Sequence, residues 1–454
     1  MVTVGLDDAR PEARVPANDR RFPSMRSMRS LWFHSAPQGG RLADRAAPLT
    51  GGLLAAAMVI MVLTPGCPPS EVPTPAFVAR PMQPYLTWQG DPCTTITIDY
   101  QTAGPFDGVG VYSAPEGDSA SSERATTLTH GTSHQISGLA DGRYVHSVEL
   151  TGLLPGARYR FSIVGADVDA SPDYTFRTIP DDDTARRFVC GGDMGTSDVT
   201  VELLRQAAAL DPEFAVIGGD LAYANGDLLN VDRWDTWLNN WFDTMVTGEG
   251  DLIPMVLAIG NHETNELPAP PACRAPFYFG FFPQGGSAHF VRDFGPNLSL
   301  TVLDTGHLSR YGGTQKAWLA DTLRERETVP WNVAVYHVPL YPSHRGFNEP
   351  QSVAGRLHWQ PIFDRYGLDL AFENHDHTLK RTVPLRGGVY DPAGTVYLGD
   401  GCFGKDPRTV CERWYLAHSA STAHVWFVEA DPDHLRAAAI DQYGQVVDEV
   451  ERSP

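Results

Sequence analysis

Five short polar motifs each follow an apolar run of this chain, and their order constrains the fold more than any other feature. The motifs are Gly-Gly-Asp193-Met-Gly195, Gly-Gly-Asp220-Leu-Ala-Tyr223, Gly260-Asn261-His262-Glu263, Val-Tyr-His337 and His375-Asp-His377. The apolar runs, which are typical of buried strands, are residues 188–190, 214–217, 255–259, 333–336 and 370–372. Because sites in open α/β sheets assemble at the carboxyl ends of strands, the sequence predicts that these polar side chains meet.

The residue types in the motifs are those that bind metal ions. Asp and Asn donate oxygen ligands and His donates nitrogen ligands to hard or borderline metals, and the motifs hold enough of them for two ions that share a carboxylate. His375 and His377 are the most telling pair, because alternate residues of an extended segment lie on the same face. A single Gly-Gly-Asp is more often a turn, and a single His after a strand is more often a core residue. The metal prediction therefore depends on the five motifs together.

The charge balance argues against nucleic acid as a wrapped partner. The chain has 35 Lys and Arg residues against 55 Asp and Glu residues, a formal net charge of −20. A protein that wraps nucleic acid needs an excess of positive charge to neutralise phosphates. At 454 residues the chain is long enough for two domains and a large core.

Residues 1–66 are predicted to be an export segment outside the fold. Several Arg residues precede the apolar stretch Leu53–Leu63, which suits a signal peptide because a membrane-spanning helix needs about 20 residues. The stretch ends in Leu63-Thr-Pro-Gly-Cys67, which resembles a bacterial lipoprotein processing site. Cys67 is therefore a candidate for lipidation, with plain signal cleavage as the alternative, and the proline-rich residues 67–76 are predicted to be a tether. We expect a protein that is secreted, periplasmic or lipid-anchored at the cell envelope.

The six cysteines fit an exported protein with few disulfides. Cys402 and Cys411 close a short loop and are the best candidates for a disulfide, although sequence alone does not fix the connectivity. Cys190 lies within a predicted strand and is expected to be a buried thiol.

The chain after the tether has two different patterns. Residues 77–180 contain short alternating runs between turn signals, which predicts a β-sandwich. Residues 185–450 alternate strand and helix patterns, which predicts a layered α/β domain. The predicted helices are 200–210, 232–242 and 314–323, and the runs 395–398, 424–428 and 435–440 indicate a second sheet at the carboxyl end.

On these motifs, residues 185–445 resemble the calcineurin-like metallophosphoesterases, whose αββα sandwich holds two metals at the ends of two packed sheets. The first motif of that superfamily is Asp-X-His, but here Gly195 stands in place of the His. Purple acid phosphatases replace that ligand with a Tyr three residues after the second Asp, where this chain has Tyr223. Residues 150–159 resemble the tyrosine corner of fibronectin type III-like domains. The expected fold class is therefore an amino-terminal fibronectin type III-like β-sandwich followed by a four-layer αββα metallophosphoesterase sandwich.

The resemblance implies two metal ions and assigns a set of ligands to each of them. The first metal is expected to be ferric iron, because a phenolate stabilises the oxidised ion, and the second is expected to be divalent zinc, manganese or iron. The first metal's ligands are Asp193, Tyr223 and His377, the second metal's ligands are Asn261, His337 and His375, and Asp220 bridges the two.

The resemblance also implies a reaction and two catalytic candidates. In-line attack of a metal-bound hydroxide would hydrolyse small phosphate monoesters, as in an acid phosphatase. His262 is expected to assist the leaving group, and His344 and Arg345 are candidates for further phosphate contacts. A phosphodiesterase or nucleotide pyrophosphatase with the same metals is the alternative, since no motif fixes which ester enters. A non-catalytic surface binding protein would need a missing ligand, and none of the seven is missing. The natural substrate and the oligomeric state stay open.

Residues beside the motifs are expected to be structural. Asn374 stands where glycine is usual, and we expect the turn to survive because Asn tolerates a left-handed backbone. Lys380 and Arg381 are expected to lie in a solvated loop, with a place at the entrance of the site as the alternative. The remaining acidic neighbours are expected to support the site or its turns, and they are Glu263, Asp304 and Asp400.

Overall fold

The structure, a computed structural model, describes residues 83–104, 110–115, 127–164 and 171–453. The predicted export segment 1–66, the predicted tether 67–76 and the lipidation candidate Cys67 therefore lie outside the described residues. Within the described ranges, no helix is both long and apolar enough to cross a membrane.

Short antiparallel strands form an amino-terminal β-sandwich, as their alternating sequence predicted. The strands are β1 Tyr85–Thr87, β2 Ile96–Thr102, β3 Gly110–Pro115, β4 Thr127–His130, β5 Thr132–His134, β6 Tyr144–Leu150, β7 Arg158–Val164 and β8 Tyr174–Arg177. One sheet has the order β1-β2-β6-β5 and the other β4-β3-β7-β8. The Leu154 N–H donates to the Tyr159 hydroxyl at 2.8 Å, which is the hydrogen bond of a tyrosine corner.

After residue 185, strands alternate with helices along the chain. The strands are β9 Arg186–Gly191, β10 Phe214–Ile217, β11 Met255–Leu257, β12 Phe290–Phe294, β13 Leu298–Val302, β14 Trp331–Val335, β15 Leu370–Glu373, β16 Leu379–Thr382, β17 Leu385–Arg386, β18 Val389–Tyr390, β19 Val396–Gly399, β20 Leu416–Ala420, β21 His424–Ala430, β22 Leu435–Asp441 and β23 Val446–Arg452. The helices are α1 Asp198–Ala209, α2 Val231–Thr244, α3 Pro271–Arg274, α4 Pro276–Phe281, α5 Thr314–Glu325, α6 Pro350–His358 and α7 Gln360–Tyr366.

Two mixed sheets form the centre of this region. The six-stranded sheet has the order β11-β10-β9-β21-β22-β23, and the seven-stranded sheet has the order β12-β13-β14-β15-β19-β16-β20. Strands β9, β10 and β11 run parallel, as do β13, β14, β15 and β19. The polar residues that follow these strands therefore emerge at carboxyl ends, where sites form in such sheets.

The two sheets pack face to face, and helices cover their outer faces. Phe188 and Val216 of one sheet share a buried core with Val333 and Phe372 of the other. Helices α1 and α2 pack on the outer face of the six-stranded sheet, and α5 and α7 pack on the outer face of the seven-stranded sheet. The order of layers is helix, sheet, sheet, helix, which confirms the expected αββα sandwich.

The carboxyl-terminal strands divide between the two sheets, so the prediction that they form a second sheet is wrong. Strand β19 lies beside β15 in the seven-stranded sheet. Strand β21 instead pairs antiparallel with β9, and β22 and β23 extend the six-stranded sheet. An apolar run indicates a strand but carries no information about which distant strand it will meet.

The β-sandwich packs directly on the layered domain. The Trp88 ring lies 5.6 Å from the Phe294 ring and 6.2 Å from the Phe214 ring, both edge to face. The buried Arg143 guanidinium also donates to Asp235 at 2.6 Å. Apolar contact and an ion pair therefore join the two domains at a shared core.

The predicted disulfide between Cys402 and Cys411 is wrong, because both side chains are free thiols. The Cys402 thiol donates to the Lys405 carbonyl and the Cys411 thiol to the His344 carbonyl, each at 3.4 Å. Backbone hydrogen bonds hold the loop between them instead, so the two sulfur atoms point to different segments. Cys190 is a buried thiol, as predicted, and burial raises its pKa well above the ordinary value.

Candidate metal centre

The two sheets deliver different kinds of donor to one location. From the six-stranded sheet come oxygen donors, since Asp193 follows β9, Asp220 and Tyr223 follow β10, and Asn261 follows β11. From the seven-stranded sheet come nitrogen donors, namely His337 after β14 and the pair His375 and His377 after β15. All seven residues named by the sequence motifs therefore lie at the facing carboxyl ends of the two sheets.

One group of donors surrounds Asp193. Its carboxylate Oδ1 lies 2.9 Å from His377 Nε2, and the Tyr223 hydroxyl donates to the same oxygen at 3.2 Å. The Tyr223 hydroxyl is also 3.3 Å from His377 Nε2. These three side chains come from both sheets and converge within hydrogen-bonding distance.

A second group surrounds the buried His337. Its Nε2 lies 3.0 Å from His375 Nδ1, 3.1 Å from Asn261 Oδ1 and 3.3 Å from Asp220 Oδ2. On the other side of the ring, Nδ1 lies 3.0 Å from the Gly218 carbonyl oxygen. With the proton on Nδ1 donated to that carbonyl, the Nε2 lone pair is directed toward the other donors. Ligand atoms of Asp220, His337 and His375 all lie within 4.8 Å of one another.

The backbone at these positions is unusual. Five of the seven residues have φ angles between 54° and 77°, a region that non-glycine residues seldom adopt, and they are Asp193, Asp220, Tyr223, His375 and His377. Such conformations persist where surrounding contacts fix them, and they concentrate at functional sites. Here the Met194 N–H donates to the Asp220 carbonyl at 3.0 Å, which joins the first two turns.

The Asn374 side chain explains the paired glycines of the first two motifs. A Cβ added at Gly192 or Gly218 would overlap the Asn374 amide, so only glycine leaves room for it there. The amide also donates to the Tyr336 carbonyl at 2.9 Å. Asn374 does not itself adopt the left-handed backbone, which occurs instead at the next residue, His375, with φ 77°. The Asn374 side chain thus packs between the two sheets beneath the donors and contacts both of them.

Glu263 supports the oxygen-donor side. Its buried carboxylate accepts the backbone N–H groups of Asp220 and Leu221 at 2.7 Å and that of Gly260 at 2.8 Å. These three bonds tie the turn after β10 to the turn after β11. Burial, followed by the charge of Asp220, raises the pKa of Glu263. Glu263 is thus a structural residue of the site, as expected.

Lys380 supports the nitrogen-donor side, and the prediction that it lies in a solvated loop is wrong. It is fully buried in β16 and forms an ion pair with the buried Glu373. Glu373 in turn accepts from the Tyr336 hydroxyl at 2.7 Å, and the Lys380 ammonium also contacts Asp400 at 3.4 Å. Arg381 is likewise no loop residue, since it pairs with Asp448 at 2.8 Å.

His262 lies against the donors, but His344 is held away from them. The His262 ring packs on the Tyr223 ring with centroids 4.2 Å apart, and its Nδ1 contacts Asn225. Its backbone N–H donates to Asp220 Oδ1 at 2.8 Å. His344 Nδ1 instead lies 2.7 Å from the Thr409 carbonyl oxygen, and no hydrogen bond joins its ring to the seven donors among the described residues.

Arg345 reaches the edge of the site through the backbone. Its guanidinium donates to the His375 carbonyl at 2.5 Å and pairs with Asp376 at 2.8 Å. Arg408 donates to the same carbonyl at 3.3 Å. The motifs gave no indication of Arg408 or Asn225, because both lie in loops without a recognisable pattern.

The electrostatics of the site favour added positive charge. Burial lowers the pKa of His337, but the Asp220 and Asp193 carboxylates outweigh it and raise that pKa to about 9. Burial and the same two carboxylates hold the pKa of the Tyr223 phenol well above its ordinary value. The buried carboxylates therefore favour positive charge next to His337.

Comparisons with known proteins agree with this geometry. Residues 186–379 match the calcineurin-like phosphoesterase family, and residues 81–178 match the purple acid phosphatase N-terminal domain. Probable purple acid phosphatase 20 of Arabidopsis thaliana is 28% identical over 271 residues, which are 57% of this chain and 60% of that protein. Probable inactive purple acid phosphatase 27 of the same plant is 26% identical over 291 residues, 55% of this chain and 45% of that protein.

A solved structure shows the same fold. The purple acid phosphatase from yellow lupin (Lupinus luteus) seeds superposes with a TM-score of 0.68 at 19% sequence identity, covering 82% of this chain and 74% of that one. The agreement extends over both the sandwich and the layered domain. The chain therefore combines a calcineurin-like phosphoesterase domain with a purple acid phosphatase N-terminal domain, and purple acid phosphatases are among the proteins to which it is similar.

Proposed function

We propose that this protein is an exported dinuclear-metal phosphatase of the acid phosphatase type, which hydrolyses phosphate monoesters. The observation that carries the proposal is the convergence of seven donors into two groups, with Tyr223 at hydrogen-bonding distance from Asp193 and His377. A chain that is similar both to a probable purple acid phosphatase and to a probable inactive one must be judged by such residues. We further propose a fibronectin type III-like domain at residues 77–180 and a catalytic domain at residues 185–450.

The donor set fits two metal ions. Each group combines oxygen with imidazole nitrogen, a combination that suits iron, zinc and manganese. The buried carboxylates Asp193 and Asp220 lie beside the buried Glu263, and neutralising charges are needed to keep such acids ionised. The pKa of His337, raised to about 9, indicates the same requirement for positive charge beside the carboxylates.

Each group would hold one ion. Asp193, Tyr223 and His377 would bind the first metal, which would be ferric iron because a phenolate ligand stabilises the oxidised ion. Asp220 would be shared between the two ions. The second ion, divalent zinc, manganese or iron, would be bound by Asn261, His337 and His375.

When bound, the metal pair would lower the pKa of water to supply the nucleophile and would offset negative charge on the phosphoryl oxygens. His262 would protonate the leaving group. Its side chain is 35% exposed, so an entering ester can reach it, and its contact with Asn225 fixes the ring orientation. A substrate contact by His344 stays a prediction.

Activity ratios and a spectrum test the proposal. Purified protein should hydrolyse an aryl phosphate monoester faster than the matching diester, should contain two metal ions per chain, and should absorb visible light. Dominant diester hydrolysis would replace the proposal with a phosphodiesterase, and inactivity of fully metallated protein would indicate a binding protein.

The ferric assignment has its own test. Tyr223→Phe should abolish the visible absorption while leaving the fold intact by circular dichroism. A colourless wild-type protein with two divalent ions would refute the ferric ion without affecting the phosphatase proposal.

Export is a separate part of the proposal. Residues 1–66 would direct the chain out of the cytoplasm, and Cys67 would carry a lipid or follow a plain cleavage site. Mass spectrometry of the mature amino terminus distinguishes the two, since lipidation adds the mass of acyl chains at Cys67 and Cys67→Ser would remove it.

A further inference from the structure

The placement of lysine in this chain is highly selective. The sequence contains 32 arginines but only three lysines, which are Lys316, Lys380 and Lys405. Lys316 lies on the surface helix α5, whereas Lys380 is the buried support of the nitrogen-donor side. Lys405 lies in the loop after β19 and belongs to no motif that the metal site uses. Because arginine is the usual cation of this chain, a lysine beside the metal centre is an exception that its contacts should explain.

Lys405 stands directly over the first group of donors. Its ammonium nitrogen lies 4.2 Å from the centroid of the Tyr223 ring. The space next to Gly195 is partly filled by its stem, since a Cβ at Gly195 would lie 3.5 Å from Lys405 Cδ. Lys405 also acts electrostatically on His262, whose pKa is lowered first by burial and to a lesser degree by this charge.

The backbone around Lys405 is fixed to the site. The Phe403 N–H donates to the Gly192 carbonyl at 3.0 Å, and the Gly404 N–H donates to the Asp193 carbonyl at 3.2 Å. The Ser197 hydroxyl donates to the Gly404 carbonyl at 2.8 Å. Three hydrogen bonds therefore hold the half-buried Lys405 next to a predicted metal ligand.

The Lys405 ammonium has no ion-pair partner in the part of the chain that the structure describes. Among the described residues, no carboxylate lies within the 4.0 Å of an ion pair with its ammonium, although both Lys380 and Arg345 have such partners. In a chain with a net charge of −20, an unpaired cation beside the donors attracts anions.

We propose that Lys405 is a substrate-binding residue that contacts the phosphoryl oxygens of the ester and of the product phosphate. This inference rests on the proposed phosphatase function. A lysine ammonium is a compact point charge with three rotatable donors, so it can follow the oxygens as the phosphoryl group changes shape. The Tyr223 ring would hold the ammonium by cation–π contact when no substrate is bound.

Phosphate binding by metal-loaded protein tests the inference independently of catalysis. Isothermal titration calorimetry with inorganic phosphate would compare wild type with Lys405→Met, Lys405→Arg and Lys316→Met, with metal content verified in each. A charge-assisted hydrogen bond of this kind predicts phosphate binding about ten- to a hundredfold weaker in Lys405→Met. Lys405→Arg should recover part of the loss. Lys316→Met, which removes the same charge from a half-buried position of α5, should bind within about twofold of wild type because α5 packs on the outer face of the seven-stranded sheet and not at the donors.

Kinetics separate the inference from the proposed function. With an aryl phosphate, Lys405→Met should raise KM by a similar factor to the phosphate dissociation constant and change kcat less. Phosphate binding in Lys405→Met that equals wild type would overturn the inference even if the wild type is an active phosphatase. Lys405-dependent phosphate binding in an inactive wild type would support the inference and refute the function. If Lys405→Met does not fold, Lys405→Gln provides the same comparison.

Discussion

The two sheets of the layered domain support their halves of the site in opposite ways. On the oxygen-donor side, Glu263 accepts three backbone N–H groups and has no cation within ion-pair distance in the described chain. On the nitrogen-donor side, Glu373 is paired with Lys380, and both are fully buried. One half thus contains a buried lysine counter-charge, whereas the other half contains none among the described residues.

This difference indicates on which side of the site the metal ions would neutralise the most buried negative charge. Asp193, Asp220 and Glu263 bring buried negative charge to one edge, and no lysine or arginine lies within 4.0 Å of any of them among the described residues. Buried acids of this kind are stable only when protonated or when neutralised by cations. The metal ions would supply on the oxygen side what Lys380 supplies on the nitrogen side. The comparison predicts that the two sides will respond differently to loss of charge.

Asp220→Asn is expected to have the largest effect, because it removes the charge that both ions would share. We expect kcat/KM to fall by at least about 1,000-fold, or about 4 kcal/mol, together with loss of metal measured by elemental analysis. Thermal stability of the metal-free protein should fall far less, since the variant also removes a buried charge. Asp243→Asn, on an exposed position of α2, is the matched control. Full activity with both metals retained in Asp220→Asn would show that the carboxylate is not shared.

Lys380→Met is expected to lower the free energy of unfolding. It leaves Glu373 buried without its partner, which costs about 3–5 kcal/mol. Chemical denaturation would measure the loss, and the double variant Lys380→Met with Glu373→Gln should recover part of it because the orphaned charge is gone. A loss as small as that of Lys316→Met would mean that Glu373 is neutral in the folded protein and that the two sides do not differ.

The sequence predicted that these seven side chains meet, but it did not predict the residues that support them. Each of the seven lies within six residues of the end of a short apolar strand, and parallel strands bring such positions together whatever their exact order. The burial of Lys380 has no local signal, since its neighbours β19 and β20 come from much later in the chain. The same holds for Asn374, whose amide occupies space left by Gly192 and Gly218 on the other sheet.

A third buried acid, in the β-sandwich, gives an intermediate case. Asp99 is fully buried and accepts from the Thr87 hydroxyl at 2.8 Å and the Ser147 hydroxyl at 2.6 Å. Burial outweighs these two hydrogen bonds and raises its pKa from 3.8 to about 7. Between about pH 4 and pH 7 the folded state therefore binds a proton that the unfolded state has lost, so the free energy of unfolding falls as pH rises through this window.

Asp99→Asn should remove this pH dependence. From pH 4 to pH 8, the free energy of unfolding of wild type should fall by up to about 4 kcal/mol relative to that of Asp99→Asn. Denaturant titrations of both proteins at the two pH values would measure it. If the difference in unfolding free energy between the two proteins does not change with pH, Asp99 is ionised at both pH values. Two hydroxyl donors would then be enough to stabilise its buried charge.

Ser197→Ala is expected to have the smallest effect, and it tests how rigidly the oxygen side holds its loop. The Ser197 hydroxyl accepts the Thr200 N–H at 3.2 Å as the N-cap of α1, and it also donates to the Gly404 carbonyl next to Lys405. Loss of the cap should cost about 1 kcal/mol of stability, whereas Ser197→Thr should cost less because it keeps a hydroxyl. Loss of the second bond should release Lys405, so the alanine variant should also bind phosphate a few-fold more weakly, as measured by calorimetry. If stability falls but phosphate binding does not, the Phe403 and Gly404 backbone bonds alone position Lys405, and the loop belongs to the rigid part of the site.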